Sequence, residues 1–114
     1  MMTPTAAFEA IRDHCRAKPD SVEEYPWGET VWKVRGKVFC FGGEWGFTVK
    51  STLDKQEALV MHPAISVAKY VGRYGWVTVQ VSDEDTLDLA KELIDESYDS
   101  LVIRRVKRAR IPGN

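Results

Sequence analysis

A β-hairpin between residues 30 and 41 constrains the fold more than any other stretch of this chain. Its two arms, TVWKV and KVFCF, are rich in β-branched and aromatic residues, and Arg35-Gly36 separates them. The glycine can adopt the positive φ of a two-residue hairpin turn. Pairing across this turn places Trp32 opposite Phe39 and predicts that one face enters the core: Trp32, Val34, Phe39 and Phe41. The other face is then formed by Val31, Lys33, Val38 and Cys40.

The segment after the hairpin predicts a third strand, Trp45 to Lys50, preceded by a turn at Gly42-Gly43-Glu44. Two registers are open. A two-residue loop places Trp45, Phe47 and Val49 on the face of Cys40, whereas a three-residue loop with a bulge places them on the face of Trp32. Either register gives a three-stranded meander.

Helices are predicted on both sides of this meander. Thr3-Pro4 fits an N-cap and a first-turn proline, and an apolar stripe follows at Phe8, Ile11 and Cys15. A short helix is predicted from Leu53 to Met61. The last helix begins at a shortened capping box, Ser82 with Asp85. Its apolar stripe has spacings of three and four: Leu87, Ala90, Leu93, Ile94, Ser97, Tyr98 and Leu101.

Two further strands, Val67 to Val71 and Trp76 to Val81, complete the order α-β-β-β-α-β-β-α. With meander connections, this order predicts the α+β class. We expect a two-layer sandwich in which an antiparallel sheet of about five strands carries the helices on one face. The opposite face should be partly open to solvent.

The composition fits one domain, since 114 residues with 44% hydrophobic content can bury a single core. No apolar run reaches the about 18 residues of a membrane span, and the N-terminal residues do not resemble a signal peptide. A cytoplasmic protein is therefore expected. The two cysteines, Cys15 and Cys40, are far apart and form no CxxC motif, which predicts free, buried thiols.

The charge is distributed unevenly, although the net charge is only −1. Five of the 16 lysines and arginines lie within residues 104–114, where there is no acidic residue, so the rest of the chain has 11 basic residues against 17 acidic ones. We therefore divide the chain into a domain, residues 1–103, and a basic C-terminal tail, residues 104–114.

Five segments in sequence order are similar to the MmcQ/YjbR-like proteins. They are KPDSVEEYPWGETVWKVRGKVFCF from Lys18, Val49-Lys50, HPAI at His62, AKYVGRYGWVTV around Trp76, and ELIDESYDSLV in the last helix. This resemblance covers nearly the whole chain and implies a compact CyaY-like or secretion-chaperone-like α+β fold. It implies little about activity in a largely uncharacterised family, whose members have been suggested to bind DNA through a double wing. The short Gly-Gly-Glu connection would make one such wing blunt.

The residues favour a non-enzymatic binding module, and they predict no catalytic residue, metal or cofactor. His14 has no partner at ligand spacing along the helix, His62-Pro63 fits a helix-terminating turn, and Cys40 lies in the middle of a strand. Four acidic residues could suggest an iron-binding ridge by analogy with the CyaY-like fold, but capping of the last helix explains most of them: Asp83, Glu84, Asp85 and Asp88.

Basic side chains near aromatic ones are the better candidates for a binding surface, because they suit phosphate contact and base stacking. The candidates are Lys33, Lys37, Lys50, Lys69, Arg73, Trp76, Arg104, Arg105, Lys107, Arg108 and Arg110. Strand lysines also protect sheet edges from aggregation, which is the alternative explanation. The expected partner is nucleic acid. The alternative is a protein partner or a second copy of the chain on the open sheet face, and a small enzyme is less favoured.

Overall fold

Six strands form one antiparallel sheet in the structure, a computed structural model that describes residues 2–43 and 46–110, without the side chains of residue 27 and residues 103–110. The sheet order is β1-β2-β3-β4-β6-β5. The strands are β1 (Val22–Glu24), β2 (Thr30–Val34), β3 (Lys37–Gly43), β4 (Gly46–Val49), β5 (Ile65–Val67) and β6 (Val77–Val79). The helices are α1 (Pro4–Arg16), α2 (Leu53–Leu59) and α3 (Glu84–Arg110), with 3-10 helices at Pro26–Gly28 and Val71–Tyr74.

The three helices pack on one face of the sheet, which confirms the predicted two-layer α+β architecture. Ile11 and Cys15 of α1 lie against the buried residues of the sheet, with Trp32 and Phe39 fully buried. The predicted stripe of α3 also faces this core, since its residues are buried from Leu87 to Tyr98 and half-buried at Leu101. α2 contributes no fully buried residue, but its last residue, Leu59, and the following Val60 pack against the same core.

The helix caps combine a confirmed prediction with a corrected one. Thr3 caps α1, because its Oγ1 accepts a hydrogen bond from the Ala6 N–H at 3.1 Å. The cap of α3 lies one residue later than predicted. Asp83 Oδ1 accepts from the Thr86 N–H at 2.8 Å, and Thr86 Oγ1 accepts in return from the Asp83 N–H at 3.1 Å. Thr86 thus takes the part that we assigned to Asp85.

The hairpin register differs from the prediction because β3 contains a bulge. Val34 does pair with Lys37, but the register then shifts, and Trp32 pairs with Cys40 instead of Phe39. Phe39 and Cys40 are both fully buried, and Phe41 moves to the face opposite the helices, where it pairs with Val31. The predicted core position of Phe41 was therefore wrong, as was the assignment of Cys40 to the other face.

A serine on α3 satisfies the backbone at this bulge. Ser97 Oγ donates to the Phe39 carbonyl oxygen at 2.6 Å and accepts from the Lys50 N–H at 3.1 Å. Both groups lie beside the core, where a polar atom without a partner destabilises the fold. The hydroxyl in the apolar stripe therefore binds α3 to two strands at once.

The pairing of β3 with β4 resolves the register of the third strand. Gly43 pairs with Gly46, a spacing that matches the two-residue alternative, and residues 44 and 45 between them lie outside the described part of the chain. Val49 then lies on the face of Cys40, as this loop length requires. Since the bulge has moved Cys40 to the core, Phe47 and Val49 join Trp32 there.

Two other elements depart from the expectation. β1, in a segment for which no strand was predicted, forms one edge of the sheet by pairing with β2. The predicted strand Val67–Val71 ends at Val67, since Tyr70 has a positive φ of 66° and a 3-10 helix follows. Such a φ does not fit a strand. The predicted strand Trp76–Val81 is present over Val77–Val79.

Candidate functional site: a groove on the outer face of the sheet

We use the term outer face for the side of the sheet that points away from the helices. One row of directly paired residues crosses it on five strands: Val31, Phe41, Thr48, Thr78 and Ser66. Thr48 and Thr78 are buried, and their hydroxyl oxygens are 2.7 Å apart. Because these two threonines satisfy each other, the centre of the outer face is polar and shielded from solvent.

Two adjoining cavities lie over this row, and we call them together the groove. The first has a volume of about 570 Å³ and is lined by Glu29, Phe41, Thr48, Ser66, Val67, Lys69, Tyr70, Val71, Thr78 and Gln80. The second, of about 380 Å³, is lined by Pro26, Glu29, Val31, Val38, Phe41, Val71 and Trp76. Volumes of this size can enclose a ligand of moderate size. The second cavity is almost entirely apolar, whereas the first mixes apolar, hydroxyl and charged groups.

The segment Lys69–Tyr74 forms one rim of the groove and contains a strained turn. The Val71 N–H donates to the Lys69 carbonyl oxygen at 2.6 Å, across Tyr70 at φ 66° and ψ −56°. These angles define a γ-turn with a positive central φ, which is rare for a residue with a side chain. Tyr70 is 92% exposed. Burial of its ring therefore does not explain why the chain holds it there.

Tight backbone contacts hold this rim in place. Gln56 on α2 donates from Nε2 to the carbonyl oxygens of Gly72 at 2.7 Å and Trp76 at 2.9 Å. Gly75 has a φ of 102°, and a Cβ atom there would lie 2.6 Å from the carbonyl carbon of Thr52. Glycine is required at this position both for the conformation and for the approach to α2. Contacts with Gln56 and Thr52 thus hold the segment that contains the strained turn.

The structure brings some of the predicted binding residues to the groove and separates others from it. Lys69 and Trp76 line it, and Trp76 packs against Phe41 with ring centroids 6.1 Å apart. Arg73 lies on the rim segment, where its guanidinium is 4.9 Å from the centroid of the Tyr74 ring. Lys33 is on the outer face of β2 but forms an ion pair with Glu24 at 2.9 Å.

The remaining candidates lie elsewhere. Lys37 is exposed at the hairpin turn opposite Val34, and Lys50 is half-buried beyond the end of β4. α3 continues through the predicted boundary at residue 103 as far as Arg110. The side chains of the basic tail lie outside the described ones: Arg104, Arg105, Lys107, Arg108 and Arg110. Trp45, which we considered as a neighbour of the lysines, is also outside them.

Sequence reasoning missed three groove residues that the structure reveals. Glu29, just before the predicted hairpin, was given no role, Phe41 was assigned to the core, and Tyr70 was assigned to a strand. A usable signal was present for Tyr70, because the segment KYVGRY contains a basic residue followed by a tyrosine twice, with a glycine between the two pairs. No sequence signal marked Glu29, whose position depends on the sheet register.

A carboxylate at the edge of the sheet organises a second polar cluster. Glu23 on β1 accepts from Arg16 Nε at 2.8 Å and Nη2 at 2.7 Å, from Trp32 Nε1 at 2.8 Å, and from the Tyr25 hydroxyl. These hydrogen bonds, with that of Arg16 the largest contribution, lower the pKa of Glu23 to about 2. The cluster ties α1 to β1 and β2.

The histidines form hydrogen bonds, and the cysteines are buried. His14 Nε2 is 2.7 Å from Asp95 Oδ1, and Lys18 Nζ is 2.5 Å from the same oxygen, so this cluster joins α1 to α3. His62 Nδ1 accepts from the Ala64 N–H at 3.0 Å in a turn. Cys15 and Cys40 are free and buried, as predicted, and burial raises the pKa of Cys40. Within residues 2–43 and 46–110, no three His, Cys, Asp or Glu side chains converge as metal ligands do.

None of the helices over the described part of the chain is long and apolar enough to cross a membrane.

Comparison with known proteins gives one family and one fold. The model of the YjbR family matches residues 16–100. The chain is similar to the crystal structure of Deinococcus radiodurans protein DR2400, which contains a DUF419 domain, with 24% identity and a TM-score of 0.69. The match covers 86% of this chain and 80% of that one. No curated protein matches this sequence.

Proposed function

The chain belongs to the YjbR family, and for this member we propose a role as a non-enzymatic binding module that holds single-stranded nucleic acid in the groove. The observation that supports this proposal most directly is Tyr70. Its ring is 92% exposed on a strained turn at the rim of the larger cavity. Strained backbone persists where the surrounding structure enforces it, and it is concentrated at binding sites.

Stacking is the interaction that this rim offers. Tyr70 and Tyr74 are both exposed, and Trp76 packs against Phe41 inside the groove. Every nucleobase has a flat π-surface, so exposed rings that lie along a groove can bind successive unpaired bases with little dependence on sequence. Double-stranded nucleic acid hides these surfaces, which is why we propose a single strand.

Phosphate contact is the complementary interaction. Lys69 and Arg73 alternate with the two tyrosines on the rim segment, and a cation beside each exposed ring matches the alternation of base and phosphate along a strand. Residues 104–110 of α3 add five basic residues to the same chain. We propose that they contribute a non-specific attraction to phosphate that offsets the acidic remainder.

Fluorescence anisotropy of a labelled oligothymidine of about 15 nucleotides tests this proposal. We expect binding at low salt that weakens by about tenfold between roughly 50 and 200 mM salt. Tyr70→Ala should weaken it by about tenfold, because one stacked base is lost. Met61→Ala is a matched control, since Met61 is 83% exposed but does not line the groove. An absence of binding at low salt would refute the proposal.

A protein partner or a second copy of the chain is the second candidate, and the apolar cavity favours it. Pro26, Val38 and Trp76 line that cavity, and few polar groups accompany them. Apolar association depends weakly on salt, unlike phosphate contact. Sedimentation that shows a dimer at high salt, together with no affinity for the oligonucleotide, would make this candidate the better one.

A further inference from the structure

We infer that Glu29 makes the groove selective for guanine, by accepting hydrogen bonds from the base edge while the strand backbone follows the rim at Lys69. This inference rests on the proposed function, because it concerns the same groove. It adds a chemical preference that stacking alone does not produce.

The position of Glu29 is the first support. It follows the 3-10 helix Pro26–Gly28 and precedes β2, and it lines both cavities, together with Phe41 and Val71. It is the only carboxylate among the described residues that line the groove. Within the described chain, its side chain forms none of the ion pairs or hydrogen bonds that occupy Glu23 and Glu24. The carboxylate therefore remains available to a ligand.

The chemistry of the bases is the second support. A carboxylate offers two acceptor oxygens in one plane and has no donor. Guanine presents two adjacent donors, N1–H and the N2 amino group, on its Watson–Crick edge. Adenine and cytosine present one amino group beside an acceptor nitrogen, and thymine and uracil present one N–H between two carbonyl oxygens. Guanine alone can thus form two parallel hydrogen bonds with Glu29 without an acceptor facing the carboxylate.

The distribution of charge across the groove sets the orientation of the bound nucleotide, with its phosphate on one side and its base on the other. Glu29 lies beside β2, whereas Lys69 follows β5 at the far edge of the sheet. A phosphate is attracted to Lys69 and repelled by Glu29. The base therefore points towards β2, over the Phe41 and Trp76 rings, whose centroids are 6.1 Å apart. Stacking on these rings places the edge of the base next to the carboxylate.

The experiment compares labelled oligothymidines of one length that differ only in the central base. For the unmodified protein we expect the strand with central guanine to bind about tenfold more tightly than those with adenine, cytosine or thymine, as one bidentate contact provides. Glu29→Gln should abolish this preference, because an amide replaces one acceptor by a donor. Glu9→Gln is the control, since it removes the same charge from the exposed surface of α1. Glu29→Asp, which keeps the carboxylate but shortens the side chain, should retain part of the preference.

Each outcome decides one question. Loss of the guanine preference in Glu29→Gln, with the preference intact in Glu9→Gln and unchanged melting of both, supports the inference. Equal affinity for all four strands in the unmodified protein overturns the inference and leaves the proposed function standing. A preference that survives Glu29→Gln also overturns it, because another group then reads the base. If none of the strands binds, the proposed function fails and the inference fails with it.

Discussion

Replacing Glu23 by glutamine should destabilise the protein, because this carboxylate joins three elements. Glu23 accepts hydrogen bonds from Arg16 on α1 and Trp32 on β2, and its side chain is only 11% exposed. Its pKa falls from 4.5 to about 2 in the folded state. A shift of this size corresponds to about 3 kcal/mol of stability. Since Arg16 is itself 52% exposed and solvent screens it, we expect a loss of about 2 kcal/mol at pH 7.

The pH dependence of this loss provides the sharper test. The folded pKa is lower than the unfolded one, so the contribution of Glu23 is fully present above about pH 4.5 and decreases as the pH falls towards about 2. Urea titrations of the unmodified protein and Glu23→Gln should therefore give a difference in unfolding free energy that is largest at pH 7. More than half of this difference should be lost by about pH 3.

The comparison with Glu9→Gln removes effects that are not specific to this cluster, because Glu9 is exposed on α1. That variant should have nearly the same stability as the unmodified protein at both pH values. A Glu23→Gln variant whose destabilisation stays constant between pH 7 and pH 3 would refute the reasoning, since the loss would then not come from the ionised form of the carboxylate. A variant as stable as the unmodified protein would refute it too.

Three further predictions follow from the core, the rim and the tail. Leu93→Ala should lower the unfolding free energy by about 2 to 5 kcal/mol in a denaturant titration, because Leu93 is buried in the core; a loss below about 1 kcal/mol would show that α3 is misplaced. Tyr70→Gly should be more stable than Tyr70→Ala by about 1 kcal/mol in the same titration, since glycine adopts the positive φ without strain; equal stabilities would mean that the turn is not strained. A chain truncated after Ile103 should melt as the full chain does, since all the α3 side chains that the structure describes, with Tyr98 the last buried one, are kept, and its nucleic-acid binding should lose much of its salt dependence; an unchanged salt slope would exclude the tail from phosphate contact.

The amphipathic elements could be predicted from the sequence because their signals are local. The Thr3 cap and the stripe of α1 depend on residues within a few turns of one another, as does the stripe of α3 from Leu87 to Tyr98. The turn at Arg35-Gly36 was equally local, and β2 has the predicted bounds Thr30–Val34. These periodicities, together with the resemblance to the YjbR family, were sufficient for the α+β class with helices on one face.

The site could not be predicted in the same way, because it depends on which residues share a face of the sheet. The bulge at Phe39 shifts the register by one residue, and that shift exchanges Phe41 with Cys40 between the core and the groove. Nothing in KVFCF distinguishes the two registers. The choice is made by contacts from distant parts of the chain, including the hydroxyl of Ser97 on the Phe39 carbonyl oxygen.

The amino-acid sequence by itself determined the helices, the central hairpin and the uneven distribution of charge, since each follows from neighbouring residues. Only the tertiary structure decided the outer face. It placed Glu29 and Phe41 beside Trp76, paired Thr48 with Thr78, and fixed Tyr70 in its strained turn through contacts with α2. A side chain in a strand faces one side or the other according to pairing with residues remote in sequence, so a one-residue change of register transfers it from the core to a binding surface.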